Sequence, residues 1–178
     1  MGHLPAEQPF AALHIDIVGG QGSLSHGASP KTILTMIDGF TGLAEAKPIA
    51  DQSAPTVARA VYNEWISRSV VPEQLHFDRG VQFESAVFAE LCAVFEINKS
   101  WTTLYRFQAN GKTAKDSMNT NPDAATSGTE TFIPLGTLLS SVLQAYRSTI
   151  FEATGFTPYR LTFGREMRLP SDIGTSLP

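Results

Sequence analysis

Cysteine is nearly absent. The chain of 178 residues carries one, Cys92, which excludes an internal disulfide and a cysteine-rich zinc site and suits a reducing compartment. No apolar run approaches the roughly 20 residues of a membrane-spanning helix. The N-terminus also lacks the basic-then-apolar layout of a secretion signal, so a soluble, intracellular chain with no membrane role is expected. Positive charge is short as well: 13 Lys and Arg stand against 17 Asp and Glu, a net charge of −4. That is a poor balance for gripping nucleic acid by bulk charge alone. The deficit is uneven, however. Between Glu96 and Asp116 there is no acid, while Lys99, Arg106, Lys112 and Lys115 are all basic.

With 42% hydrophobic residues, the chain has the composition of one globular domain with a sizeable core. Leu13, Ile15 and Ile17 alternate with His14 and Asp16, the period of a strand with one apolar face. Thr32 to Asp38 is apolar on both faces, as a central strand requires, and Leu43 to Ile49 alternates again with Glu45 and Lys47 outward. Short links between these three predict an antiparallel meander. Ala54, Val57, Ala58, Val61, Tyr62 and Trp65 fall on one face of a helix, with Ser53 as its cap. Gln74 to Asp78 is a fourth strand. A second helix starts from about Phe83, with Phe88, Leu91, Cys92 and Phe95 on its stripe, which makes Cys92 a core residue rather than a nucleophile. Ile97 to Thr103 reads as a fifth strand. From Arg106 to Gly136 the pattern dissolves into Asn-Pro and Gly-Thr punctuation. A helix returns around Leu138 to Tyr146, followed by a short one at Pro158 to Phe163. The order βββαβαβ and then helices predicts an α/β fold on a mixed sheet.

Asp16 and Asp78 are both polar-face strand residues, each with a histidine two places earlier. On neighbouring strands their carboxylates converge, and two close carboxylates favour a hard cation such as Mg²⁺ or Mn²⁺ between them. By pattern alone, acids on strands are more often solvated or hydrogen-bonded. His14 and His76 offer nitrogen ligands for a zinc alternative, against histidines simply bonded within the sheet. Asp38 offers a third carboxylate, against plain turn chemistry in Asp-Gly-Phe-Thr-Gly, which is the favoured reading.

The segments His14-Ile15-Asp16-Ile17-Val18-Gly19 and Thr35-Met36-Ile37-Asp38-Gly39-Phe40-Thr41 carry a resemblance, as does the stretch around Asp78. So do Tyr105 with Gln108-Ala109-Asn110-Gly111, and Ala145-Tyr146-Arg147-Ser148. The terminal run Thr154-Gly155-Phe156-Thr157-Pro158-Tyr159 with Phe163-Gly164-Arg165-Glu166-Met167-Arg168-Leu169-Pro170 is its most specific part. In order, and over nearly the whole chain, these resemble the integrase catalytic core of gypsy-type long-terminal-repeat retrotransposons and retroviruses. The resemblance implies a ribonuclease-H-like fold: a five-stranded mixed sheet, part antiparallel meander and part parallel, flanked by helices. It also implies a polynucleotidyl transferase that processes DNA ends and transfers strands, with Asp16 and Asp78 as catalytic metal ligands and Mg²⁺ or Mn²⁺ as cofactor. Tyr105, Arg106, Gln108, Asn110, Lys112 and Lys115 become DNA contacts, and the partners become retroelement ends, target DNA and a second copy in a homodimer. A working element would act in the nucleus. The implied layout is a loose arm at 1–10, a catalytic core at 11–150 divergent over 112–136, and an extension at 151–178. Flanking zinc and chromatin-binding modules of the family are not recognisable, as in a fragment of a polyprotein.

The family's third carboxylate follows the second after thirty-five intervening residues, and counted from Asp78 that position is Ala114. The surrounding Gln108 to Lys115 keeps register, so this is a substitution. Asp116 is two residues along a helix, about 200° of rotation away. Phe77 stands where a small hydroxyl residue is usual, and Arg106-Phe107 where His-Pro is. Loss of a metal-ligating carboxylate costs several kcal/mol of transition-state stabilisation, roughly a thousandfold in rate or more. Catalysis is therefore expected to be absent or weak, while one ion still binds through Asp16 and Asp78. The alternative is an inactive, decaying or domesticated module that binds nucleic acid or protein. A plain metal-dependent phosphoesterase gives the terminal Tyr-Arg and Phe-Gly-Arg-Glu runs nothing to do.

Overall fold

The alternation at Leu13, Ile15 and Ile17 draws the chain into β1 (Ala12–Val18). The computed structural model describes residues 8–19, 32–77, 83–101 and 135–173. β2 (Thr32–Asp38) pairs antiparallel with β1 and with β3 (Ala44–Ile49), forming the expected meander. The chain then passes through α1 (Ala54–Val61) and a π-helical turn at Tyr62–Ile66. β4 (Gln74–Phe77) runs parallel to β1 on its free side. After α2 (Ala86–Val94), β5 (Asn98–Trp101) runs parallel to β4. The resulting five-stranded mixed sheet has the order β3-β2-β1-β4-β5. α3 (Leu135–Ser148), α4 (Pro158–Phe163) and a 3₁₀ turn at Pro170–Asp172 follow. This is the α/β, ribonuclease-H-like arrangement expected from the sequence.

The two faces of the sheet are filled differently. Leu13, Ile15, Leu34, Met36, Leu75 and Phe77 point to one side, where Val57, Val61, Trp65, Phe83, Phe88 and Cys92 bury them. Each such side chain contributes about 1.5–3 kcal/mol on leaving water. On the other side a smaller cluster of Ala44, Leu139, Leu143, Tyr146 and Phe151 forms under α3. Strand alternation puts His14, Asp16 and His76 on this second side, beyond the part that α3 covers.

Five local expectations are corrected. Tyr62 is not part of the buried stripe: it is 43% exposed and stacks on Phe95 with centroids 5.9 Å apart. The helix widens there, with the Ser67 amide donating back to the Tyr62 carbonyl at 2.9 Å, so the inward stripe runs from Val61 to Trp65 and Ile66. Ser53 holds the N-cap position of α1 and its carbonyl accepts from the Val57 amide at 3.0 Å, but its hydroxyl bonds to Asp51 and Thr56 rather than to a helix amide. The second helix starts at Ala86, with Ser85 accepting from the Phe88 amide at 3.3 Å. Phe83 lies ahead of it, fully buried. Glu45 does not face water alone, since Arg147 reaches it at 2.5 Å. Residues 8–10, the end of the span read as an arm, are fastened: the Phe10 amide donates to Asp38 Oδ1 at 2.8 Å and its ring meets Trp65 edge-on.

Candidate functional site

Asp16 stands late in β1, half-buried, on the sheet side away from the main core. Its Oδ1 accepts the neighbouring Ile17 amide at 2.9 Å, and its carbonyl accepts from Thr35 Oγ1 at 3.1 Å. Thr35 is its cross-strand partner in β2, so the backbone at Asp16 is held from the side as well as along the strand. On the opposite flank β1 pairs in parallel with β4, His14 opposite His76 and Ile15 opposite Phe77. Parallel strands carry their carboxyl ends to the same edge, the usual place for ligands in such sheets. Asp78, the next residue after Phe77, lies outside the described residues.

The two histidines behave as sheet residues. Their rings stack with centroids 4.5 Å apart and planes 12° from parallel. His76 Nδ1 is hydrogen-bonded to the Ser100 hydroxyl of β5. His14 packs against the turn at Gly39, where an added Cβ would lie 2.9 Å from its Nε2. Burial, and secondarily the charge His76 would carry, push His14 down to about 3. Zinc chelation needs two in-plane lone pairs converging on one ion at about 2.0–2.1 Å. Stacked rings direct their lone pairs in parallel planes, so this pair does not form a zinc chelate. Among the described residues no cluster of three or more His, Cys, Asp or Glu is arranged around a common point.

Asp38 is a turn residue, as favoured from its sequence. It is 1% exposed, and its carboxylate accepts from the Phe10 amide, the Thr41 amide and Thr41 Oγ1 at 2.8, 2.8 and 2.6 Å. Its register partner is Leu13, which sets it on the core side of the sheet, opposite to Asp16. It is no third ligand.

Two more residues singled out from the sequence lie on the core side. Lys99 pairs with Leu75 in register and so shares the core side. Its ammonium reaches the Phe83 carbonyl at 3.5 Å and lies 6.0 Å from the Phe88 ring centre. It supports α2 rather than facing the Asp16 side. Phe77 likewise belongs to the core: it is 1% exposed, stacked on Phe83 at 4.8 Å and edge-on to Phe88 at 5.8 Å. The ring that replaces a small hydroxyl residue is thus absorbed by two neighbouring aromatics, away from the site. Cys92 is buried in the same cluster, which pushes its thiol up and keeps it unreactive. Tyr105, Arg106, Gln108, Asn110, Lys112, Ala114 and Lys115 lie outside the described residues.

Among the described residues the site therefore amounts to one hard oxygen donor, Asp16, on a strand held from both sides. That chemistry fits Mg²⁺ or Mn²⁺ better than a nitrogen-seeking ion. Sequence reading missed Arg147 as a structural element. Its guanidinium donates twice to the Ala44 carbonyl, at 2.9 and 2.7 Å, besides pairing with Glu45. Its place in the Ala145-Tyr146-Arg147-Ser148 run and in the last turn of a helix were the sequence signals for it.

Residues 6–106 match the integrase core domain family. The chain is 23% identical over 164 residues to the retrovirus-related Pol polyprotein from transposon 412 of Drosophila melanogaster, covering 92% of this chain and 13% of that protein. It is 30% identical over 139 residues to the Gag-Pol polyprotein of feline leukemia virus, covering 75% of this chain and 8% of that one. The chain thus spans a small part of the length of these relatives. Its fold resembles the HTLV-2 integrase catalytic core domain in complex with magnesium, in a dimeric form. That likeness has a TM-score of 0.66 at 17% identity and covers 89% of this chain and 99% of that one.

Proposed function

The chain belongs to the integrase core domain family, and from that premise we propose that it is a gypsy-type catalytic core for DNA integration. Asp16 and Asp78 hold Mg²⁺ or Mn²⁺ in this reading, and Ala114 leaves the third ligand position without a carboxylate. The supporting observation is the parallel pairing of β1 with β4, Ile15 opposite Phe77. Continued by one residue, that register would set Asp78 opposite Asp16, which is the placement this reading requires. When bound, paired divalent ions activate the attacking oxygen and stabilise the leaving oxygen of a phosphodiester. The chain's own part is to hold the carboxylates in fixed register. Thr35 bonds the Asp16 carbonyl from β2 beside it, and the His14–His76 stack ties β1 to β4 two residues before it.

Tyr105, Arg106, Gln108, Asn110, Lys112 and Lys115 contact DNA on this proposal, and residues 11–150 form the core proper. A second copy of the chain is the expected protein partner, supported by the dimeric form of the HTLV-2 relative, and a working element acts in the nucleus. Ala114 favours a second reading, an inactive nucleic-acid- or protein-binding module. A strand-transfer assay with Mn²⁺ on a preprocessed DNA end, comparing the natural chain with Ala114→Glu, separates them. Activity only in the glutamate form identifies a fossil active site, and equal activity in both overturns the role given to position 114.

A further inference from the structure

The terminal run from Thr154 to Pro170 has no task in the site above, although it is the most specific part of the sequence resemblance. Three arginines lie in it, Arg160, Arg165 and Arg168, and between Glu152 and Asp172 the sole acid is Glu166. That acid is engaged locally. Glu166 accepts from Thr157 Oγ1 at 2.8 Å and pairs with Arg160 at 3.3 Å. Thr157 in turn caps α4 by accepting from the Arg160 amide at 3.0 Å. Gly164, at a φ of +73°, ends the helix in the left-handed region. Asp172 is bonded to the Leu169 amide at 2.7 Å.

The short helix is thus closed at both ends, and its one ion pair uses up the local acid. Arg165 and Arg168, just beyond, are both exposed, and neither has a carboxylate within ion-pair distance among the described residues. Beside them stand exposed aromatic rings: Phe163, 54% exposed and in contact with Tyr159, and Phe156, 42% exposed under the Arg160 guanidinium.

We propose that this face, centred on Arg165 and Arg168, is a second contact surface for DNA backbone phosphates, separate from the Tyr105–Lys115 set. The inference rests on the reading of the chain as one that acts on DNA. Arginine forks match phosphate oxygens two at a time. Three residues of chain span at most about 10 Å, over which one DNA strand presents about three phosphates, so the spacing of the two arginines suits two contacts on one strand. On a chain of net charge −4, guanidiniums with no carboxylate in ion-pair distance among the described residues make a site of charge reversal, which a polyanion satisfies.

The test is fluorescence anisotropy of a labelled mixed-sequence duplex with the full chain, in EDTA so that catalysis plays no part, over a range of salt. Arg165→Gln with Arg168→Gln is expected to lower the slope of log affinity against log salt by about two. Arg165→Lys with Arg168→Lys should restore most of it, since counterion release depends on charge. An unchanged slope in the glutamine variant, with binding by the natural chain intact, overturns this inference alone. No binding by the natural chain overturns it together with the DNA-acting reading. A shift in sedimentation with no change in slope assigns the face to a protein partner and equally overturns the proposal.

Discussion

His14 and His76 lie ring over ring across β1 and β4, centroids 4.5 Å apart, with His76 tied onward to Ser100 of β5. The pair links three parallel strands directly behind the carboxylate of Asp16. Burial first, and the neighbouring ring second, depress His14 from 6.5 to about 3. The unfolded chain therefore takes up a proton at His14 near pH 6.5 that the folded chain refuses. Stability from this source is fully present above about pH 6.5 and falls as pH drops toward 3, by on the order of 1 kcal/mol per pH unit. Urea melts between about pH 7 and pH 4 should show this loss in the natural chain and a flatter acid limb in His14→Gln. Parallel acid limbs in the two proteins would refute the assignment.

Arg147 is expected to matter more than a surface arginine. It joins the end of α3 to the open edge of the sheet through two bonds to the Ala44 carbonyl and one ion pair to Glu45. Burial pushes the Glu45 carboxyl up, while Arg147 and Arg68 draw it back. Arg147→Ala should cost about 2–3 kcal/mol, and Arg147→Lys should recover less than half, because an ammonium lacks the fork. The bare β3 edge should also raise the tendency to aggregate. Denaturant midpoints and light scattering read both effects. A loss below about 0.5 kcal/mol, the range of an ordinary exposed pair, would contradict the edge-closing role.

Asp16 and Asp38 are predicted to respond in opposite ways to the same change. Asp38→Asn forces an amide donor against backbone donors in a buried turn and should cost about 1–3 kcal/mol. Asp16→Asn sits on the open side of the sheet and should leave stability within about 1 kcal/mol while abolishing Mn²⁺ binding. Thermal melts and calorimetric titration with Mn²⁺ distinguish the two. Retained Mn²⁺ affinity in Asp16→Asn would remove that residue from the metal site.

Gly42 tests the contact between the meander and the residues after α3. Its φ is +73°, and an added Cβ would lie 2.9 Å from the Phe151 ring. Gly42→Ala thus meets both a backbone penalty of about 1–2 kcal/mol and a clash with a buried aromatic. Gly155→Ala, also at positive φ but with open space around it, should show the backbone penalty alone. Equal melting temperatures for the two variants would mean that Phe151 yields freely.

Much of this protein is written in short-range pattern. The alternation at Leu13, Ile15 and Ile17, the doubly apolar Thr32–Asp38 strand, the short helix at Pro158–Phe163 and the core character of Cys92 all follow from local periodicity. That periodicity decides which side of a strand or helix meets water. The turn role of Asp38 follows from the preference of aspartate, glycine and threonine for tight loops.

Tertiary structure alone decided what depends on partners far along the chain. It sent Lys99 to the core side and turned Tyr62 out at a widened helical turn. It let two aromatics absorb Phe77, stacked His14 on His76 so that they cannot chelate together, and carried Arg147 across 103 positions to the Ala44 carbonyl. A residue's type sets what it can bond to, but register and strand order set what lies within reach, and those emerge only when the whole sheet is assembled.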